Sequence, residues 1–492
     1  MYRRIAIALI ALIAAAALVA ITGCQTGESL WAPCSPSATG NPTGTDGTWV
    51  LLCKDGRWEP LMTVREFVAI RQGQKVDLGP LPTPPTTTTP TTTTTTTTPP
   101  ASDPTTTAPP TVEPALAAGY DHTCALLADR TVTCWGGNYF GQLGSTTNNG
   151  TDDPNPTPIP VAGLTNVTAI TAGGYHTCAL IEGGTVTCWG QNRYGQLGNS
   201  TNNGDADNHP NPTPTAVAGL THVTALTAGG MHTCALIEGG TVTCWGHNRF
   251  GQLGNDANND IDPPGALPTP THVAGVDHVT ALTAGNWFTC ALIEGGTVSC
   301  WGLNLRGQLG SATNNDNQNA NPSPASIAGL GGVTGLTAGY EHTCALITGG
   351  AVKCWGVNAY GQLGNPNGTG AFSANPDPAL VVGLPAVSAL AAGGEFTCAL
   401  LDTGSADCWG FNLLGQLGNA TNSGVDTSNP SPLAVTGLTG IATLAASATH
   451  TCVVLDGGGV RCWGENSKGQ LGNDTNSGTA TANPTPLPVT GF

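Results

Sequence analysis

The sequence predicts an all-β protein: a seven-bladed β-propeller, preceded by a small disulfide-stapled module and a disordered Pro/Thr stalk. Three observations carry this expectation. Trp-Gly pairs recur with tryptophans at 135, 189, 245, 301, 355, 409 and 463, at intervals of 54 or 56 residues. Each unit holds four short β-type segments, such as 167–171 (A), 176–181 (B), 185–189 (C) and 158–161 (D). The last segment, 483–492, matches the D segment that begins at Asn155, and an A segment is available at 113–118, so the two ends of the repeat region are expected to meet.

The N-terminus reads as an export signal over 1–23. Arg3 and Arg4 precede an apolar run from Ile5 to Ile21, and Ile21-Thr22-Gly23-Cys24 resembles the lipobox of bacterial lipoproteins, which makes Cys24 the acylated residue. An uncleaved membrane anchor is the alternative, but the run is short for a span. Either way the remainder is expected outside the cytoplasm, membrane-bound through its lipid. Residues 24–79 contain Cys34 and Cys53, expected to form the Cys34–Cys53 bond, and Thr63 to Glu66 reads as a capping box opening a short helix. Residues 80–111 collapse to proline and threonine, a composition that cannot form a core and reads as an extended spacer.

Within 112–492 each repeat carries two cysteines with nine residues between them: Cys124–Cys134, Cys178–Cys188, Cys234–Cys244, Cys290–Cys300, Cys344–Cys354, Cys398–Cys408 and Cys452–Cys462. Each pair is centred on a three-residue hairpin loop such as 182–184. That register places the two cysteines directly opposite, with Cα atoms ~4.5 Å apart in a non-hydrogen-bonded pair. The final loop position is glycine in six of seven copies, as a type I turn with a G1 bulge requires. One disulfide per blade follows. A zinc reading of the histidine beside each pair is opposed by the repeats themselves, because His122, His176, His232, His342 and His450 alternate with Phe288 and Phe396. Asp256 to Asp262 imitates a calcium loop but has Ile261 at the turn-glycine position and Leu267 at the glutamate position. No metal and no cofactor is expected.

The string W-G-x-N-x-x-G-Q-L-G, intact from Trp135 to Gly144 and in all six later copies, closely resembles the regulator-of-chromosome-condensation repeat over 381 of the 492 residues. The resemblance implies seven blades. The founding eukaryotic member is a nucleotide exchange factor for a small GTPase and binds nucleosomes, whereas secreted bacterial members inhibit or adhere to other proteins through one propeller face. An exported homologue meets neither of the founding member's partners.

Charge and motifs narrow the function. Residues 112–492 carry seven basic and twenty-four acidic side chains, a sign that repels phosphate backbones, so no nucleic acid is expected. No serine elbow, H-E-x-x-H or phosphate-binding glycine loop is present, and near-identical blades offer no asymmetric catalytic site, so the chain is not expected to be an enzyme. The expectation is a monomeric module binding a protein or glycan. A structural envelope lipoprotein is the alternative, and an enzyme at the ring axis a third reading. The ligand is placed on the face that carries the A-to-B corners: Tyr120, Tyr175, Met231, Trp287, Tyr340, Glu341 and Glu395 differ from blade to blade there, while the hairpins on the other face are nearly uniform.

Overall fold

Alternating apolar and small polar residues, with β-branched Val, Ile and Thr concentrated between glycine turns, give each repeat three well-formed strands and a proline-rich fourth. The computed structural model describes residues 112–204, 209–259 and 265–492, and the strand segments 25–26, 43–45, 49–54 and 57–63. The chain divides into two compact units, 1–106 and 107–492. In the first, the described strands form one sheet in the order Gln25–Thr26, Thr43–Thr45, Trp49–Lys54, Arg57–Thr63, parallel at the first pairing and antiparallel at the others. The lipidation site Cys24, the Cys34–Cys53 pairing, the helix expected at Thr63 to Glu66 and the stalk lie outside the described residues, as does part of the 256–262 loop.

The second unit is a seven-bladed propeller. Its seven sheets are antiparallel and each keeps the chain order A-B-C-D; blade 2, for example, is Val167–Ala172, His176–Ile181, Thr185–Gly190 and Thr215–Ala216. The A strands are innermost, and their last residues, Ala118 and its equivalents, line an axial cavity of about 110 Å³. The D strands are outermost and, in five blades, only two residues long. Proline supplies no N–H, so a proline-rich strand suits a sheet edge and protects it from pairing with another chain.

The core lies between blades. Leu180, Val186, Leu197 and Val217 of blade 2 close over Trp245 of blade 3, and the same arrangement recurs around the ring, every motif tryptophan being fully buried. Between blades 7 and 1 the cluster joins Val454, Val460, Leu471 and Val489 to Trp135, and Phe492 packs edge-on against Trp135 at 5.7 Å. The ends therefore meet as expected, with each blade keeping its own four strands.

Polar latches repeat at all seven junctions. The main-chain carbonyl of each motif glutamine accepts from the next blade's tryptophan Nε1 and threonine Oγ1, as Gln142 does from Trp189 (2.9 Å) and Thr177 (3.0 Å). At the closing junction Gln470 accepts from Trp135 and Thr123. A backbone bond adds to these, running from Asn211 N–H to the Phe140 carbonyl at 2.9 Å and, at closure, from Asn155 to Lys468 at 3.0 Å. The buried threonine hydroxyls donate to glutamine carbonyls, so they accept from the histidines: His122 Nε2 meets Thr177 at 2.9 Å, and His450 Nε2 meets Thr123 at 2.7 Å. Phe288 and Phe396 occupy the same buried place without the bond. These histidines are structural.

All seven C-x9-C pairs are disulfide-bonded, each with the cysteines in direct register and Cα atoms 4.1 Å apart. The turn between them departs from expectation in four blades. Gly183, Gly239, Gly295 and Gly349 take φ of 89 to 92°, as the third residue of a type II turn does, whereas Gly457 at the same place in blade 7 takes no positive φ. Blades 1, 6 and 7 keep positive φ at the final loop position alone, and in blade 1 that residue is Arg130 at φ 66°.

Candidate binding face

The motif string explains which of its residues are free to vary. In each copy the asparagine side chain holds its own loop, Asn192 accepting from Leu197 N–H and donating to the carbonyls of Asn199 and Thr201. The glutamine Oε1 accepts from the backbone two residues earlier, as Gln196 does from Tyr194 N–H at 2.9 Å. Gly141, at φ 84°, lets the next blade's Asn211-Pro212 segment pass so close that a Cβ would lie 2.6 Å from Pro212 N. The side chains at the three x positions carry none of these duties. They come to the same face as the A-to-B corners, because each residue after Trp-Gly donates its N–H to a corner carbonyl: Gln191 to Tyr175, His247 to Met231, Leu303 to Trp287, Val357 to Glu341 and Phe411 to Glu395, at 2.8–2.9 Å.

The corner residues separate into two layers. Tyr120 and Tyr340 stand one position earlier in the repeat than Tyr175, Met231, Trp287, Glu341 and Glu395. Their backbones belong to a belt across the channel mouth, in which Tyr120, Gly174, Gly230, Asn286, Tyr340 and Gly394 each donate N–H to the equivalent residue of the next blade at 3.0–3.3 Å. The Tyr120 ring lies over this belt, and a Cβ at Gly174 would come within 2.8 Å of it. Its hydroxyl donates to Asn286 Oδ1 at 2.6 Å, and its ring meets Tyr175 and Tyr340 edge-on at 5.2 and 5.3 Å. Burial pushes the phenols of Tyr120 and Tyr340 well above the usual range. These two tyrosines line the mouth of the axial cavity.

The outer layer contains aromatic residues that a reading of the corners alone overlooks. Tyr194, His247, Phe250 and Trp287 form one cluster, with His247 4.7 Å from Tyr194 and 4.9 Å from Trp287, and Phe250 5.9 Å from Trp287. Tyr360 packs on Phe411 at 4.4 Å, and Phe140 on Tyr175 at 5.1 Å. The signal was present in the sequence as the variable positions inside an otherwise constant string.

Charge divides the face by sector. Arg193, Arg249 and Arg306 stand on blades 2, 3 and 4, over Tyr194, Phe250 and Phe372 respectively. The opposite sector is acidic. Burial raises the Glu341 carboxyl while Arg306, 3.6 Å away, draws it back, and burial followed by Glu341 and Asp426 raises Glu395. Tyr175 is raised by burial and by Asp121, Asp152 and Glu465.

The RCC1-like domain profile matches residues 73–439, and the RCC1 repeat profile matches 441–470. The chain belongs to the RCC1-like domain family. Among curated relatives, the Arabidopsis thaliana ultraviolet-B receptor UVR8 is 28% identical over 73% of this chain and 78% of its own length. The human probable E3 ubiquitin-protein ligase HERC4 is 31% identical over 44% of this chain, which spans only 19% of that protein. Among solved structures, Saccharomyces cerevisiae Prp20p, described with its binding to Gsp1p and histones, superposes with a TM-score of 0.62 at 22% identity, covering 76% of this chain and 87% of that chain. Human WBSCR16 also reaches 0.62, at 20% identity, covering 73% of this chain and 94% of that protein.

Proposed function

We propose that this RCC1-like ring is a protein-binding module, held outside the cell on a stalk whose N-terminus is lipid-anchored at Cys24. The observation that carries the reading is the contrast inside one motif: Trp, Asn, Gln and Gly are spent on the ring in every blade, while the corner and x positions of one face differ from blade to blade. Among the residues that fill them are Trp287, Tyr175, Tyr194, Tyr360, Phe140, Phe250, Phe411, Met231 and three arginines, residue types enriched at interface hot spots and cores. Catalysis at the axis is disfavoured. The axial cavity of about 110 Å³ lies far below the ~300–1,000 Å³ of small-molecule sites, and its lining is alanine and glycine apart from Tyr120, Asn286, Tyr340 and Ser447. The acidic balance of the ring disfavours nucleic acid. At the identities found, the partners of the solved relatives are not carried over.

The test is photo-crosslinking of the full chain on intact cells, with the reactive group placed at Met231 in one variant and at Glu238 of a hairpin in another. Protein adducts are expected at Met231, and alanine at Tyr175 or Trp287 should weaken the captured partner by more than ~1 kcal/mol each without altering the fold. Adducts confined to Glu238 would place the ligand on the wrong face. The anchor is tested separately. Cys24→Ala should abolish labelling by a palmitate analogue, and persistent labelling refutes the assignment.

A further inference from the structure

One sector of the face differs from the rest in chemistry. Although 112–492 holds only seven basic side chains against twenty-four acidic ones, Arg193 and Arg249 occupy the same repeat position on adjacent blades. Their guanidinium carbons lie 5.5 and 5.4 Å from the ring centroids of Tyr194 and Phe250. Those two rings join His247 and Trp287 in the cluster described above, so two arginines flank one aromatic group spanning blades 2 to 4.

His247, buried in the cluster, is held in one tautomer. Gln252 Oε1 accepts the Phe250 N–H at 3.0 Å, so the amide nitrogen of Gln252 is the end that donates to His247 Nδ1, at 2.6 Å. The ring proton therefore sits on Nε2. Burial, then the neighbouring charge of Arg249, push the imidazole pKa down to about 3, and the ring stays neutral. No other blade has histidine at this position; the equivalents are Gly137, Gln191, Leu303, Val357, Phe411 and Glu465.

Two guanidinium groups over the rings of one aromatic cluster that includes an indole fit a carboxylate beside an apolar side chain. Arginine pairs with carboxylates through parallel N–H···O bonds, and tryptophan anchors apolar side chains. A sugar platform is disfavoured, because Arg193 and Arg249 already lie over the rings on which a sugar would stack. Resting on the protein-binding reading above, we propose that Arg193, Tyr194, His247, Arg249, Phe250 and Trp287 form the docking point for an acidic segment of a partner protein, one that places an Asp or Glu on the arginine pair and an apolar neighbour on Trp287.

A ribosome-displayed random peptide library, selected on the full chain, supplies the probe, and the enriched peptides are then synthesised and titrated calorimetrically. Enriched sequences should carry Asp or Glu next to an apolar residue. Their affinity should fall about tenfold in Arg193→Gln, Arg249→Gln or Trp287→Ala, and about a hundredfold in the double charge reversal Arg193→Glu/Arg249→Glu. The reversed protein should in turn bind peptides in which Lys replaces Glu. Near-ultraviolet circular dichroism confirms each fold, and Arg→Lys variants serve where a Gln variant fails to fold. Peptides that ignore these changes but respond to Tyr175→Ala or Glu395→Ala overturn this sector and leave the binding-face reading standing. Peptides that respond only to changes in the Glu182 or Glu238 hairpins overturn both. Arginine-dependent binding of alginate with no acidic peptide enriched overturns the protein partner in favour of a polyanionic glycan. Self-association abolished by the charge reversal, seen by light scattering, overturns it in favour of a second copy of the chain.

Discussion

Thr289 and Thr343 are equivalent, fully buried residues that differ in one neighbour. Thr289 Oγ1 donates to the Gln252 carbonyl at 3.0 Å and accepts from His232 Nε2 at 2.9 Å. Thr343 Oγ1 donates to the Gln308 carbonyl at 2.9 Å, but the residue that faces it from the preceding blade's histidine position is Phe288. Replacing Thr289 by Val leaves a buried imidazole N–H with no acceptor, a cost of about 1–3 kcal/mol that Thr343→Val escapes. Urea midpoints of the two variants should therefore differ in that direction, and equal losses would remove the histidine from the latch. The histidine site also illustrates how one residue adapts to its neighbour. At the position where six blades have glycine, blade 7 has Ser447, whose hydroxyl lies 2.7 Å from His450 Nδ1, while Nδ1 of His122, His176, His232 and His342 has no hydrogen-bond partner among the described residues.

The B–C hairpin recurs in all seven blades with its cysteines in the same register, and its disulfide acts mainly on the unfolded state. The loop closed is short, with a sequence separation of 10, so each bond contributes ~2 to 3 kcal/mol by loop entropy. A Cys178→Ala/Cys188→Ala variant should lose about that much stability, and non-reducing peptide mapping of the exported protein should find each C-x9-C pair linked within its own blade. Links between blades, or free thiols, would contradict the register. A blade packs its disulfide against the next blade's core, as Cys178 and Cys188 do with Ala235 and Trp245, so the effect of one reduced hairpin is expected to spread to its neighbour.

The whole ring carries a pH dependence built from its junctions. Burial lowers His176, His232, His342 and His450 from 6.5 to about 3, with like charge on His122 a second cause at His176 and His450 and on His247 and His176 at His232. A histidine with a depressed folded pKa binds protons more readily in the unfolded chain, so stability rises with pH in the window between the two values. Full stability is present above about pH 6.5, and each of these histidines removes about 1.4 kcal/mol per pH unit as the pH falls toward 3. Thermal melting should therefore drop steeply on acidification. Phe in place of His232 and His342, the residue that blades 4 and 6 already use, should flatten that slope; an unchanged slope would assign acid sensitivity elsewhere. Closure at blades 7 and 1 uses the same histidine–threonine bond, His450 to Thr123, as the covalently continuous junctions that have a histidine, so the closing junction shares this pH dependence.

Seven blades, four strands to a blade, the family and the disulfide register could all be read from the chain, because each rests on spacing: a 54-to-56-residue period, period-2 alternation and cysteines symmetric about a three-residue loop. The face that carries the variable corners was legible in the same way, from strand direction. What the sequence could not separate is which corner residues lie over the channel mouth. Tyr120 and Tyr340 read like Tyr175 and Trp287, yet one place in the repeat puts them on the belt at the channel mouth, where Asn286, three blades from Tyr120, takes its hydroxyl. The cluster of Tyr194, His247, Phe250 and Trp287 likewise joins residues from three blades. Local pattern specifies a blade, since a blade's hydrogen bonds close within about fifty residues; only closing the ring decides which side chains from different blades share a surface, because that contact depends on the rotation between blades and not on the spacing within one.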